Sequence, residues 1–242
     1  MTEHESLDNM TRDAWRMLRV LGELAVGFDR LAQLPHPGVT VFGSARTGIR
    51  DQYYGLARDL GAHLAASGFA VITGGGPGIM EAANRGAFEA GGVSVGINII
   101  LPYEQRPNPY QTISLECEYF HTRKELLAKA ARAFVVFPGG FGTLDELAGI
   151  LTLVQTRKMP AMPVYLVGRA HWAGLEGWFR ETLITSGAIA DDDLDLFKIV
   201  DDVSAIPADI QQYHAGEHAG FKRPTDTDRA RARGDVPTSR GG

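Results

Sequence analysis

Residues 69–90 read FAVITGGGPGIMEAANRGAFEA, and the fold class turns on this stretch. Phe69–Thr73 is an unbroken apolar run of strand length, as expected of a strand buried on both faces. The next five residues, Gly74-Gly75-Gly76-Pro77-Gly78, can continue neither a strand nor a helix. From Ile79 the apolar residues return at helical spacing and continue to about residue 90. Strand, glycine turn and helix in that order form one half of a βαβ unit.

The same grammar recurs outward from this stretch. Apolar runs at 39–43 (VTVFG), 93–97 (VSVGI), 133–137 (AFVVF) and 163–167 (PVYLV) read as further buried strands. Segments of helical period lie at about 52–67, 122–132 and 142–157. Alternation of this kind predicts an α/β protein with a doubly wound parallel sheet. Two weaker patterns, near 112–120 and 197–200, suggest additional strands. Upstream, Ala14, Met17, Leu18, Leu21, Leu24, Ala25, Phe28 and Leu31 mark one apolar stripe on a helix over 11–33, and that stripe is expected to be buried on the sheet or on a partner. The helix ends before Pro35-His36-Pro37-Gly38. Residues 101–111 (LPYEQRPNPYQ) contain three prolines and read as an irregular loop. Beyond residue 214 only Phe221 and Val236 are sizeable apolar groups, too few to order a segment. The expected organisation is an N-terminal helical extension at 1–37, a single nucleotide-binding domain at 38–214 and a disordered tail at 215–242.

Composition narrows the function. The chain has 242 residues, 44% hydrophobic, with a formal net charge of −5. Residues 215–242 carry +2, which leaves −7 on the rest. An acidic body argues against nucleic acid as the main partner. No segment is apolar for long enough to cross a membrane, and the acidic N-terminus resembles no targeting peptide. The lone cysteine, Cys117, fits a reducing compartment, so a cytoplasmic location is expected.

Three strands end in small-residue turns: Gly43-Ser44-Ala45-Arg46, Gly74 to Gly78, and Pro138-Gly139-Gly140-Phe141-Gly142-Thr143. In an open parallel sheet ligands bind beyond the carboxyl ends of the strands. Glycine turns there bring backbone N–H groups and helix N-termini against an anion, so a phosphate-bearing small molecule is expected. It is not a dinucleotide of the usual kind, because Ile79 stands where the fingerprint needs its third glycine and no acidic residue closes the next strand. A Walker loop fails too, since Ile49-Arg50 replaces Lys-Ser/Thr after Gly43 and Gly48. Glu146 lies in Thr143-Leu144-Asp145-Glu146, which reads either as a capping box or as a carboxylate poised in a helix's first turn; Thr122-x-x-Glu125 reads as a second capping box. Arg123-Lys124 sets two cations near a helix start, where the dipole repels them unless an anion is close. His214 and His218 have an i, i+4 spacing but surround Gly216, so no metal site is expected, and Cys117 has no adjacent base to make it a nucleophile.

Thr73–Ala83 (TGGGPGIMEAA), Pro138–Glu146 (PGGFGTLDE) and Arg123-Lys124 together resemble the LOG (LONELY GUY) family, the cytokinin riboside 5′-monophosphate phosphoribohydrolases, over roughly residues 38–205. The longer bacterial subgroup is the nearer match. The family's older label is lysine decarboxylase, yet no motif here marks a cofactor-bearing lysine. The resemblance implies a Rossmann-like fold, no cofactor, a homo-oligomer of two or more copies, and hydrolysis of the N-glycosidic bond of an N6-substituted AMP to free base and ribose 5-phosphate. By motif it implies Arg123 and Glu146 as the catalytic pair. Lys124, Gly140, Phe141, Gly142, Thr143, Thr152 and Glu104 fall at its substrate-contacting positions, and the glycine turns add Ser44, Gly74, Gly75 and Gly76 as expected substrate contacts. Two other readings stay open: a broad nucleoside monophosphate nucleosidase, and a nucleotide- or cofactor-binding carrier without turnover.

Overall fold

The computed structural model describes residues 3–101, 106–216 and 221, with side chains described from residue 13 onward. In chain order the elements are α1 (Glu3–Ala32), β1 (Gly38–Phe42), α2 (Gln52–Ala66), β2 (Ala70–Thr73), α3 (Ile79–Glu89), β3 (Ser94–Ile99), β4 (Ile113–Cys117), α4 (Phe120–Lys129), β5 (Ala131–Val136), α5 (Phe141–Gln155), β6 (Val164–Val167), α6 (Arg169–Trp178), β7 (Lys198–Val200) and α7 (Ile206–Ala215). A π-helical stretch, Phe179–Ile184, continues α6, and a 3₁₀ stretch, Asp191–Leu196, precedes β7. Hydrogen bonds order the strands β4-β3-β2-β1-β5-β6-β7. The pairs β1–β2, β2–β3, β3–β4, β5–β6 and β6–β7 are parallel, so the expected doubly wound parallel sheet is present.

The strand patterns follow from position in the sheet. β1, β2, β3 and β6 are buried at every residue, which is why each reads as a continuous apolar run. The two edge strands differ. β4 alternates half-buried and exposed residues before Cys117, and β7 is half-buried throughout. Edge strands bury less, so their sequences carry less signal.

The chain divides into two compact units. The first comprises Met1–Val41 and Ala45–Ala131. Here α2 and α3 meet backbone to backbone: a Cβ on Gly86 would collide with Arg58 O, and one on Gly61 with Ala83 O. α1 belongs to this unit and packs on α4, where Gly27 lies against the Leu126 side chain. It is also tied to the turn before α4. Glu118 N donates to Glu23 Oε1 at 2.7 Å, Arg19 pairs with Glu118 at 3.4 Å, and the Arg16 guanidinium stands 5.4 Å from the Tyr119 ring centre. The covered face of α1 runs through Val20, Glu23, Leu24, Gly27 and Leu31. The apolar stripe read from the sequence is therefore only partly covered by the chain itself. Leu31 is buried, but Met17, Leu18 and Leu21 are 67%, 58% and 60% exposed.

The second unit comprises Phe42–Ser44 and Arg132–Gly242. Its core holds Phe134, Phe137, Tyr165 and Trp172, all fully buried, with Trp172 Nε1 donating to Val167 O at 3.0 Å. The sequence places Phe221 in a tail with too few apolar groups to order itself. It is buried, edge-on to Tyr165 at 5.2 Å and to Tyr213 at 5.9 Å, with Lys198 Nζ 4.4 Å above its ring. Residues 217–220 and 222–242, the rest of that segment, lie outside the described residues.

Candidate functional site

Each of the three glycine turns stands at the carboxyl end of its strand: Gly43–Arg46 after β1, Gly74–Gly78 after β2, and Pro138–Gly140 after β5.

In the first unit, Gly74, Gly75 and Gly76 are buried. The turn is closed by Thr73, whose Oγ1 accepts from Gly75 N at 2.9 Å and donates to Asn84 Oδ1 at 2.6 Å. Gly75 has φ 71°, and a Cβ there would lie 2.0 Å from Asn98 Oδ1, so no larger residue fits. α3 begins immediately after. Its N-cap, Gly78, has no side chain to occupy the first-turn N–H groups, which leaves them to a ligand or water. Arg123 reaches this turn from α4: its Nη1 lies 3.4 Å from where a Gly74 Cβ would stand, and its Cζ is 5.2 Å from the Phe120 ring centre. A half-buried guanidinium held between an aromatic ring and a glycine backbone has few alternative positions. Arg123 and Lys124 are the fourth and fifth residues of α4, which begins at Phe120. Thr122 is consequently inside the helix and buried, and the expected Thr122–Glu125 capping box does not form.

In the second unit, the end of β1 meets the end of β5. Phe137 N donates to Phe42 O at 2.8 Å, and Ser44 N donates to Pro138 O at 3.0 Å. This brings Ser44 beside the Pro138–Thr143 turn, at the point where the strand order reverses. α5 starts at Phe141 with Gly140 as an N-cap lacking a side-chain bond. Thr143 is the helix's third residue, buried and folded back over Gly139; the capping box read for Thr143 and Glu146 is absent too. Glu146 is half-buried and sixth in the helix, past the first turn where the sequence had placed it. Its field from the helix N-terminus is correspondingly weaker. Around Gly140 and Gly142 there is open space, and Phe141 between them is 92% exposed. Thr152 sits two turns further along, its Oγ1 donating to Ala148 O at 2.7 Å.

The remaining expectations fall as follows. Glu104 lies outside the described residues, as does His218. His214 is engaged elsewhere, its Nε2 2.9 Å from Arg132 O. Cys117 is buried, which pushes its thiol up to about 11, and the thiolate needed for nucleophilic chemistry is disfavoured. Sequence reasoning missed a group of amides behind the Gly74–Gly76 turn: buried Asn84, Asn98 and Asn108, and half-buried Gln111. The available signal was Asn84, a polar residue on the buried side of an otherwise apolar helix face.

Comparison with known proteins adds four findings. The family described as "Possible lysine decarboxylase" matches residues 80–210. A probable cytokinin riboside 5′-monophosphate phosphoribohydrolase of Oryza sativa subsp. japonica is 34% identical over 122 residues, 49% of this chain and 49% of that protein. A cytokinin riboside 5′-monophosphate phosphoribohydrolase of Mycobacterium tuberculosis is 31% identical over 152 residues, 61% of this chain and 80% of that protein. The chain thus spans about half the length of the rice relative. Among solved structures, the molybdenum cofactor carrier protein of Chlamydomonas reinhardtii superimposes with a TM-score of 0.55 at 27% identity, over 74% of this chain and 99% of that one.

Proposed function

The chain belongs to the possible lysine decarboxylase family, which includes the LOG proteins, and from that premise we propose that it is a phosphoribohydrolase: it hydrolyses the N-glycosidic bond of an N6-substituted AMP, releasing the base and ribose 5-phosphate. The observation that carries the proposal is Arg123 packed on the buried Gly74 turn, beside an α3 N-terminus with no side-chain cap. A fixed cation and free N–H groups suit a phosphoribosyl ligand. The names of the rice and mycobacterial relatives support the same substrate class.

In this reading departure of the base leaves an oxocarbenium-like ribose, the charge pattern of glycoside hydrolysis. Glu146 supplies the carboxylate that stabilises that cation and orients the attacking water, while Arg123 offsets negative charge on the substrate. Lys124, Ser44, Gly140, Gly142, Thr143 and Thr152 are the proposed substrate contacts, and Phe141 offers an exposed ring for the base to stack on. The test is a product assay with isopentenyl-AMP, AMP, GMP and CMP, following free base and ribose 5-phosphate, with Glu146→Gln as control. Base release fastest from isopentenyl-AMP and lost in the variant supports the proposal. Equal rates on plain AMP make the enzyme a broad nucleosidase.

A second reading, a carrier that binds a nucleotide-like cofactor without turnover, is favoured by the likeness to the molybdenum cofactor carrier. Binding with no product from any nucleotide would select it.

We further propose that the functional unit contains at least two copies. Ala14, Leu18, Leu21, Ala25 and Phe28 repeat at spacings of 4 and 3 along the uncovered side of α1, a seam that a second α1 complements. Replacing Leu18 and Leu21 by serine is expected to lower the mass measured by light scattering to that of one chain, with the melting behaviour of the single chain little changed because both side chains are already exposed in it.

A further inference from the structure

Asn108 and Gln111 come from the end of the proline-rich segment, yet their side chains act on the glycine turn. Asn108 N and Nδ2 both donate to Gly75 O, at 2.9 and 3.0 Å, and Gln111 Nε2 adds a third donor at 2.9 Å. The Asn108 amide also reaches Gly76 O at 3.1 Å and Asn84 Oδ1 at 3.0 Å. Both amides are themselves held. Asn108 Oδ1 accepts from Tyr110 N at 3.2 Å; Gln111 exchanges bonds with Asn98 and lies flat on Gly96, where a Cβ would strike it. Tyr110 in turn is stacked by Arg85, 5.3 Å from its ring centre, and edges Phe88 at 6.1 Å.

Peptide geometry converts this clamp into a directional statement. The described chain contains no cis peptide, and in a trans peptide the C=O of one residue and the N–H of the next point opposite ways. Three donors hold Gly75 C=O toward Asn108 and Gln111. The N–H of Gly76, in the same peptide plane, is therefore aimed away from them. The neighbouring Gly75 N–H is taken by Thr73, and Pro77 has none. Gly76 N–H is thus the one donor in Gly75–Pro77 left on the side opposite the clamp.

We propose that Asn108 and Gln111 are positioning residues that fix the Gly75–Gly76 peptide so that Gly76 N–H binds an oxygen of a phosphoribosyl group. This rests on the phosphoribohydrolase reading and deepens it: Asn108 and Gln111 set affinity for the sugar-phosphate half of the ligand from behind the turn. Neither residue touches the ligand. Asparagine is required at 108 because every group facing its Nδ2 is an acceptor, and a carboxylate there would be repelled by Gly75 O, Gly76 O and Asn84 Oδ1.

The test measures dissociation constants of ribose 5-phosphate and of adenine, separately, for the full chain and for Asn108→Ala, Asn108→Asp and Gln111→Ala. The expected result is about tenfold weaker binding of ribose 5-phosphate in each variant, with adenine unchanged within about twofold. A merely structural role would weaken both fragments together or only lower the melting temperature, and either result overturns the proposal. If Asn108→Ala fails to fold, half-buried Gln111 carries the test alone. Unchanged ribose 5-phosphate binding in all variants overturns the clamp and leaves the phosphoribohydrolase reading standing. Failure of the unaltered chain to bind ribose 5-phosphate overturns both.

Discussion

The turns after β2 and β5 are written in nearly the same residues and are built in opposite ways. Gly74–Gly76 is buried, and its backbone is bonded to Thr73, Asn108 and Gln111. Its glycines answer to the chain's own packing: at Gly75 both the positive φ and Asn98 exclude a side chain. Gly140–Gly142 faces open space, with Phe141 almost wholly exposed, and nothing among the described residues would meet a Cβ at Gly140 or Gly142. Gly142, which no described neighbour demands and which lies inside the helix where alanine would be more stable, is explained by what approaches from outside. One turn is a rigid wall of the fold; the other is an open face.

That contrast can be broken by experiment. The largest effect belongs to the open side. Glu146→Gln, one and a half turns beyond Gly140, is expected to lower kcat for base release by about 10²–10⁴, the usual worth of a positioned carboxylate, with an unchanged melting curve. Next is Gly75→Ala. Strain at positive φ and the clash with Asn98 together should cost roughly 2–4 kcal/mol in a urea unfolding experiment. A loss under about 0.5 kcal/mol would show that the wall yields. Gly142→Ala should do the reverse, stabilising by roughly 0.5–1 kcal/mol while weakening ribose 5-phosphate. Stabilisation with full affinity would mean the open face is not a ligand surface. The smallest stability effect is Phe141→Ala, within about 0.5 kcal/mol because the ring is 92% exposed; a changed preference between isopentenyl-AMP and AMP would then place the base against it.

Cys117 offers a pH check that is independent of the turns. Burial raises its thiol from 9.0 to about 11, so the neutral form is the one the fold accommodates. The linked stability is present below pH 9 and falls as pH rises toward 11. Labelling of the native protein by iodoacetamide at pH 8 should be far slower than that of the unfolded chain.

How legible these features were depended on where they sit. The interior strands announced themselves because both faces are buried, and Val71, Ile72, Val135 and Val164 had to be apolar. β4 and β7 gave faint patterns because an edge strand with exposed Ser114 and Glu116 is under weaker constraint. The two Thr-x-x-Glu patterns misled for a local reason. α4 and α5 each begin three residues earlier than the threonine suggests, on Tyr119 and Gly140 caps, so neither threonine caps anything. The amide clamp was invisible because its partners are separated by 24 to 36 residues and Asn108, between two prolines, reads as an ordinary turn residue.

The alternation of apolar runs and glycine turns was enough to determine a parallel α/β sheet and to point to a small anionic ligand, since strand burial and turn sterics are local and leave a periodic trace. Only the tertiary structure decided which glycines serve the fold and which face outward, where Arg123 rests, and that the α1 stripe lies largely uncovered. Those outcomes depend on which distant residues come to share a space, and residue type at a single position does not encode its neighbours.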